Sequence, residues 1–212
     1  MMSVTQKDMY EMFAEVYYKR VFRPYTEREI HVTEAIQCLL KSFYQRKLQR
    51  ALLEPKIVVL SFGTLVHEAL HEPLERRGYK CEVEGKLEIG DVTLYGHADA
   101  VTDTHGLELK TITRMPTDAL SHHKLQANTY SFIFDKPVWY VAYIHKPSGL
   151  CKVFTIPKDE NMFKYVVMRA VRLSTLLRKN IAPEPEPSWL CAYCEYIDIC
   201  PRAYKHVRRR WL

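Results

Sequence analysis

The 212-residue chain is poor in glycine, with seven in all, and has no low-complexity window and no internal repeat. That excludes glycine-rich linkers and repeat arrays. No apolar run approaches the roughly 18–20 residues that a helix needs to cross a bilayer. The first residues, MMSVTQKDMYEMF, lack the continuous apolar segment of a secretory signal. A cytoplasmic protein with no membrane partner is expected. Hydrophobic residues make up 47% and charged residues 26%, which is ordinary globular composition. A chain of this length fits one domain burying about 70% of its unfolded surface. Residues 1–212 are therefore taken as one domain in three parts: an N-terminal helical part over 1–60, a core over 61–180, and a C-terminal segment over 181–212 that carries cysteines and basic residues.

The net charge of +6 is unevenly placed. Lys41, Arg46, Lys47, Arg50 and Lys56 cluster early, and Arg202, Lys205, Arg208, Arg209 and Arg210 crowd the C-terminus. Glu82, Glu84, Glu88 and Asp91 form an acidic stretch between them. Basic clusters are the footprint of a polyanionic partner, although a solubilising surface has the same composition.

Periodicity predicts an α/β fold with a mixed central sheet flanked by helices. Thr33 is placed as the cap of a helix running to about residue 50, with Ile36, Leu39, Leu40, Phe43 and Lys47 at helical spacing. Ser61 or Thr64 opens a second helix with Phe62, Leu65, Val66, Ala69 and Leu70 on its apolar stripe, ending at Pro73 and Gly78. Residues 79–112 alternate as three strands joined by turns at Gly90-Asp91 and Thr104-His105-Gly106. Asp118 is expected to cap a helix carrying Leu120, Leu125, Tyr130 and Phe134. A hairpin follows around Pro147-Ser148-Gly149, then a helix over about 159–180 and the stiff linker APEPEPS.

Residues 63–71, GTLVHEALH, contain H-E-A-L-H, a match to the H-E-x-x-H pattern of zinc proteases. Such enzymes need a third ligand, often a histidine six residues on, and position 77 is Arg77. The next acidic residues, Glu82 to Glu88, lie in a strand-like segment, and Pro73 strains the helix near His71. A protease is disfavoured, and Glu68 and His71 are read as structural or surface residues.

A different constellation lies downstream. GHADAV places Asp99 in one strand, and GLELKT places Glu108 and Lys110 in the next. Residues i and i+2 of a strand share a face, so Glu108 and Lys110 project together, and the intervening turn folds them back beside Asp99. Two carboxylates can hold a divalent cation, while the lysine orients or deprotonates an attacking water and neutralises charge. Acidic and basic residues also face each other across ordinary exposed hairpins.

The order of the surrounding parts sharpens this. A helix with Gly63 and His67 precedes the strands, and a helix with Gln126 and Tyr130 at i and i+4 follows. Residues 63–130 thus resemble a RecB-like nuclease of the PD-(D/E)XK superfamily. The resemblance implies a restriction-endonuclease-like core in which His67, Asp99, Glu108 and the Leu109 carbonyl bind metal. It also implies that Asp99, Glu108, Lys110, Gln126 and Tyr130 serve catalysis, the last two by positioning the substrate strand. An imidazole among oxygen ligands moves the preference from Mg2+ toward Mn2+, although either ion can serve.

Six cysteines are present. Cys191, Cys194 and Cys200 form the C-x2-C-x5-C run CAYCEYIDICP, and such spacing favours a metal over disulfides. Cys38 is the candidate fourth ligand, and Cys81 and Cys151 are expected to be buried as small apolar residues. Four thiolates suit zinc or an iron–sulfur cluster, and spacing does not separate the two. A RecB-like core enclosed by one N-terminal and three C-terminal cysteines is similar to the CRISPR-associated exonucleases of the Cas-four family, and to the stapled nuclease domains of AddB-type helicases. The likeness covers about residues 33–202, with Leu39 and Leu40 departing from the proline and basic residue that usually follow the first cysteine. It implies a four-iron four-sulfur cluster on Cys38, Cys191, Cys194 and Cys200, with a two-iron cluster as the variant. It also implies a nuclease acting on single-stranded DNA or DNA ends in spacer acquisition, with integrase or other adaptation proteins as partners. A RecB/AddB-type repair nuclease and a non-catalytic adaptation subunit are the alternatives.

Overall fold

The computed structural model describes residues 5–18, 26–48 and 54–202. Arg50, Lys205, Arg208, Arg209 and Arg210 of the basic clusters lie outside these residues. The order is α1 (Gln6–Tyr18), β1 (Glu29–His31), α2 (Val32–Ile36), α3 (Leu39–Leu48), α4 (Glu54–Glu75), β2 (Lys80–Ile89), β3 (Val92–Val101), β4 (Gly106–Ile112), α5 (Ser121–Ile133), β5 (Val138–His145), β6 (Cys151–Pro157), α6 (Glu160–Lys179) and a 3-10 turn at Trp189–Tyr193. The strands expected from alternation are present, because period-2 patterning buries one face of each pair. The strand β1 is too short to show a period, whereas α1, with Met9, Tyr10, Phe13, Val16 and Tyr17 at helical spacing, is a helix that the sequence reading passed over.

The six strands form one mixed sheet. β3 is its axis: β2 runs antiparallel along one edge, from Ile89↔Val92 to Lys80↔Val101. The other edge is shared. β1 pairs in parallel with Thr93–Tyr95, and β4 pairs antiparallel at Ala100↔Leu107 and Val101↔Gly106. Between these two partners, at Gly96–Asp99, the sheet forks. β4 then pairs in parallel with β5, and β5 antiparallel with β6. Helices α5 and α6 pack on the sheet, α4 packs on β2 and β4, and α1 lies on α4. Leu94, Ala98, Ala127, Tyr130, Trp139, Val141, Val166 and Leu173 are fully buried in the core between them.

Several boundaries differ from expectation. The helix predicted from Thr33 to about residue 50 is two helices, with Gln37 extended (φ −85°, ψ 179°) between them. His31, not Thr33, caps α2: its Nδ1 accepts the Thr33 N–H, and Glu34 accepts the His31 N–H. The break persists because distant side chains satisfy the freed main chain. Arg169 donates to the carbonyls of Ala35 and Gln37, at 2.6 Å each, and Glu186 accepts from Leu39 N–H. Helix α4 begins by Glu54, so Ser61 lies inside it, its hydroxyl bonded back to the Ile57 carbonyl and across to that of Phe13. The helix continues two residues past Pro73, and Gly78 turns the chain at φ +84°. Asp118 does not cap α5. Leu120 holds that position without a side-chain bond, while Asp118 binds Ala119 N–H and Lys124.

The early basic residues are mostly internal partners rather than an open patch. Lys41 and Lys56 converge on Glu195, at 3.5 and 2.8 Å, and Arg46 pairs with Glu34. Asp91 in the acidic stretch binds Arg178 at 2.8 Å. Cys81 is half-buried and Cys151 is exposed, so the expectation that both are buried is met only in part by Cys81 and fails for Cys151. Its strand β6 is a sheet edge with one solvated face. No helix among the described residues is long and apolar enough to cross a membrane.

Candidate functional site

Asp99, Glu108 and Lys110 meet at the fork of the sheet. Where β4 leaves β3, the Leu109 N–H loses its ladder partner and donates instead to Asp99 Oδ2 at 2.6 Å. Glu108 is 2% exposed. Its Oε1 accepts from Lys110 Nζ at 2.6 Å and from Gln126 Nε2 at 2.8 Å. Its Oε2 is buried with no hydrogen-bond partner. Burial, with the Asp99 charge added and Lys110 only partly offsetting both, pushes the Glu108 carboxyl up to about 7. Burial opposes the Lys110 ammonium, but Glu108 and Asp99 outweigh it and raise its affinity for the proton.

Gln126 and Tyr130 stand on one face of α5, as expected, with Gln126 Nε2 3.1 Å from the Tyr130 hydroxyl. Both are buried, Tyr130 completely. Contact of these side chains with a substrate strand therefore gives way to a supporting role: Gln126 fixes Glu108, and Tyr130 fixes Gln126. The ring of Tyr130 lies against Gly96, where a Cβ would stand 2.7 Å from it. Only glycine admits this approach.

His67, on α4, bridges to the same point. Its Nε2 lies 3.1 Å from the Leu109 carbonyl, which can only accept, so that nitrogen carries the proton. The other nitrogen, Nδ1, faces Asp99 Oδ1 at 3.2 Å without hydrogen-bond geometry. Two lone pairs then oppose each other and need a positive charge between them. Without a metal ion that charge is a proton: burial disfavours the imidazolium, but Asp99 outweighs burial and lifts the His67 pKa. The buried, unpartnered Glu108 Oε2 has the same need. These residues fit a divalent cation. The Leu109 carbonyl, bonded by His67, keeps a second lone pair for such an ion.

One residue at this site escaped the sequence. Glu82 lies on β2 directly opposite Asp99, between the pairs Cys81↔Ala100 and Val83↔Ala98. Its backbone is left-handed, φ +50°. His67, Glu82 and Asp99 each offer a ligand atom within 4.8 Å of the others, a group that does not include Glu108. The signal was available, since eight residues counted outward from each side of the Gly90-Asp91 turn reach Glu82 and Asp99. His71 also turns to Glu82, at 3.3 Å, and Glu68 is exposed. The two histidines of H-E-A-L-H thus face different partners, and the geometry of a zinc protease is not formed.

Beside α5, whose His122, His123 and Gln126 share the lining, Cys38, Cys191, Cys194 and Cys200 line a single cavity of about 370 Å³. Cys38 occupies the break between α2 and α3, a place the continuous helix of the sequence reading would have denied it. The C-terminal run is tied down by side chains. Glu195 accepts from Lys56 and from Gln45 (3.0 Å), and Arg169 holds Glu186 of the proline-rich segment at 2.7 Å. The ring of Tyr196 lies 5.6 Å from that of Tyr44. Burial opposes the Glu195 charge, but Lys41 and Lys56 outweigh it and hold its carboxyl below the usual range.

Comparison with known proteins agrees with this geometry. The chain is 24% identical over 186 residues to the CRISPR-associated exonuclease Cas4 of Saccharolobus solfataricus, an alignment spanning 82% of this chain and 88% of that protein. Its fold is similar to the crystal structure of SSO0001, with a TM-score of 0.73 and 22% identity over 95% of this chain and 98% of that one. It is also similar to an alkaline exonuclease (LHK-Exo) from Laribacter hongkongensis, with a TM-score of 0.55 and 9% identity over 78% of this chain and 93% of that one. Residues 73–201, more than half of the chain, match the PD-(D/E)XK nuclease superfamily, and the chain belongs to that superfamily.

Proposed function

We propose that the protein is a metal-dependent DNA exonuclease that degrades single-stranded DNA and trims DNA ends for CRISPR spacer acquisition. The observation that carries the chemistry is the meeting of Asp99, Glu108 and Lys110 at the sheet fork, with His67 Nδ1 and Glu108 Oε2 both buried without a hydrogen-bond partner among the described residues. A Mn2+ or Mg2+ ion held by His67, Asp99, Glu108 and the Leu109 carbonyl would supply the Lewis acidity for phosphodiester hydrolysis. Lys110 Nζ orients the attacking water and offsets charge on the scissile phosphate. Gln126 keeps the Glu108 carboxylate turned toward the reacting centre, and Tyr130 keeps Gln126 in place. The DNA substrate and the link to spacer acquisition rest on the likeness to the Cas4 exonuclease.

The four cysteines support an iron–sulfur cluster that staples the N-terminal part to the C-terminal segment. They share one cavity although about 150 residues separate Cys38 from Cys191. Closing so long a loop restricts the unfolded chain, so the binding energy of the cluster becomes folding energy. The three parts then behave as one domain.

The test is degradation of end-labelled single-stranded DNA, beside a duplex control, by the anaerobically purified protein with Mn2+ or Mg2+. Loss of labelled strand by the parent and not by Glu108→Gln is the expected result. A parent inactive with both ions would overturn the nuclease. Iron analysis of the same preparations tests the staple: Cys194→Ser and Cys38→Ser should lose iron, whereas Cys151→Ser, at an exposed site, should keep it. Iron unchanged in Cys38→Ser would remove that residue from the ligand set.

A further inference from the structure

Glu82 is held from two sides. His71 Nε2 approaches its Oε1 at 3.3 Å, and His97 Nε2 approaches its Oε2 at 2.9 Å. His71 Nε2 is in hydrogen-bond geometry and donates to Oε1, while His97 Nε2 makes an ion-pair contact with Oε2, so both oxygens are oriented. The backbone at Glu82 adopts φ +50° within a strand, a conformation that costs a non-glycine residue about 1 kcal/mol or more. The result is a carboxylate within 4.8 Å of both His67 and Asp99.

We propose that Glu82 is a further ligand of the cation held by His67 and Asp99, and that His71 and His97 are positioning residues that hold Glu82 toward it. This rests on the metal-dependent reading of the site. It gives the ion one imidazole and two carboxylates before Glu108 is counted, a donor set that suits Mn2+ at least as well as Mg2+. It also assigns a purpose to the second histidine of H-E-A-L-H, which acts on the metal through Glu82 rather than by touching it. Groups that orient a ligating side chain commonly change metal affinity by about 10- to 100-fold.

The experiment is a Mn2+ titration of the purified full chain, with free ion read by electron paramagnetic resonance, so that affinity is measured without turnover. Glu82→Gln should weaken Mn2+ binding by about 10- to 100-fold, and His71→Ala by about 10-fold. His71→Gln, which keeps a donor facing Glu82, should recover most of the loss. His71→Ala should cost nothing further when Glu82→Gln is already present. Glu82→Asn, with a residue that tolerates the left-handed backbone, covers a failure of Glu82→Gln to fold. Parental Mn2+ affinity in the folded Glu82 variants would overturn the proposal, and a full His71→Ala effect on top of Glu82→Gln would overturn the positioning role. Asp99→Asn separates the two levels. If it alone loses the ion, only the Glu82 assignment falls; if it too binds like the parent, the metal site itself falls.

Discussion

Asp99 Oδ2 accepts the Leu109 N–H at 2.6 Å, so a side chain takes over at the point where the β3–β4 main-chain ladder ends. One oxygen of Asp99 thereby holds the fork together, and the other faces His67. Structure and chemistry can be separated at this residue. Asp99→Asn keeps a carbonyl oxygen for Leu109 and should melt within a few degrees of the parent while losing Mn2+ binding and cleavage. Asp99→Ala leaves a buried N–H without a partner and should cost about 1–3 kcal/mol in addition. Calorimetry and nuclease assays on both variants check this. Equal melting temperatures for the two would mean that the hydrogen bond carries no stability.

Lys110 is the half-buried counter-charge of the buried Glu108. Lys110→Ala should lower cleavage of single-stranded DNA by about 10²- to 10⁴-fold. Breaking a fully buried pair costs about 3–5 kcal/mol because a charge is stranded, and the partial exposure of Lys110 puts this pair below that range. Here the Glu108 carboxyl already sits near 7 and can take up a proton, so the thermal cost should be small at pH 6 and larger at pH 8. Melting curves at the two pH values check the sign. A larger loss at pH 6 would contradict the electrostatics.

Arg169 secures the break at Gln37–Cys38 through the Ala35 and Gln37 carbonyls and pairs with Glu186 of the segment leading to Cys191. Arg169→Ala should therefore destabilise the fold by about 2–4 kcal/mol and lower iron retention, although it touches no cysteine. Iron content and melting temperature are the readouts. Full iron occupancy in a protein that still folds would show that the break forms without Arg169.

His31 predicts acid sensitivity at a site unrelated to catalysis. Its neutral Nδ1 caps α2, and burial lowers its pKa to about 4, with the Glu34 charge only partly offsetting. The unfolded ring binds its proton near pH 6.5. The stabilisation from the neutral ring is thus complete above pH 6.5 and is lost as pH falls toward 4, amounting to about 1–3 kcal/mol. His31→Asn retains a capping acceptor but cannot titrate, and should flatten the fall in melting temperature between pH 6.5 and 4. An unchanged slope would locate the acid sensitivity elsewhere.

Local information in the sequence was sufficient for β2, β3, β4, the β5–β6 hairpin and α6, because alternation and turn chemistry act between residues close in the chain. It also grouped Asp99, Glu108 and Lys110, since one tight turn and the two-residue period of a strand bring them together. Tertiary structure decided what lay across elements. The helix through Cys38 breaks because Arg169 and Glu186, more than 130 residues away, satisfy the main chain there. The early basic cluster is largely neutralised because Glu195 arrives from the far end of the chain. Gln126 and Tyr130 were found by spacing, but their burial beneath Gly96 and behind Glu108 was not, since helical period gives a face and not what covers it. The register that sets Glu82 opposite Asp99 could be counted from the Gly90-Asp91 turn, but no periodicity encodes the left-handed backbone at Glu82.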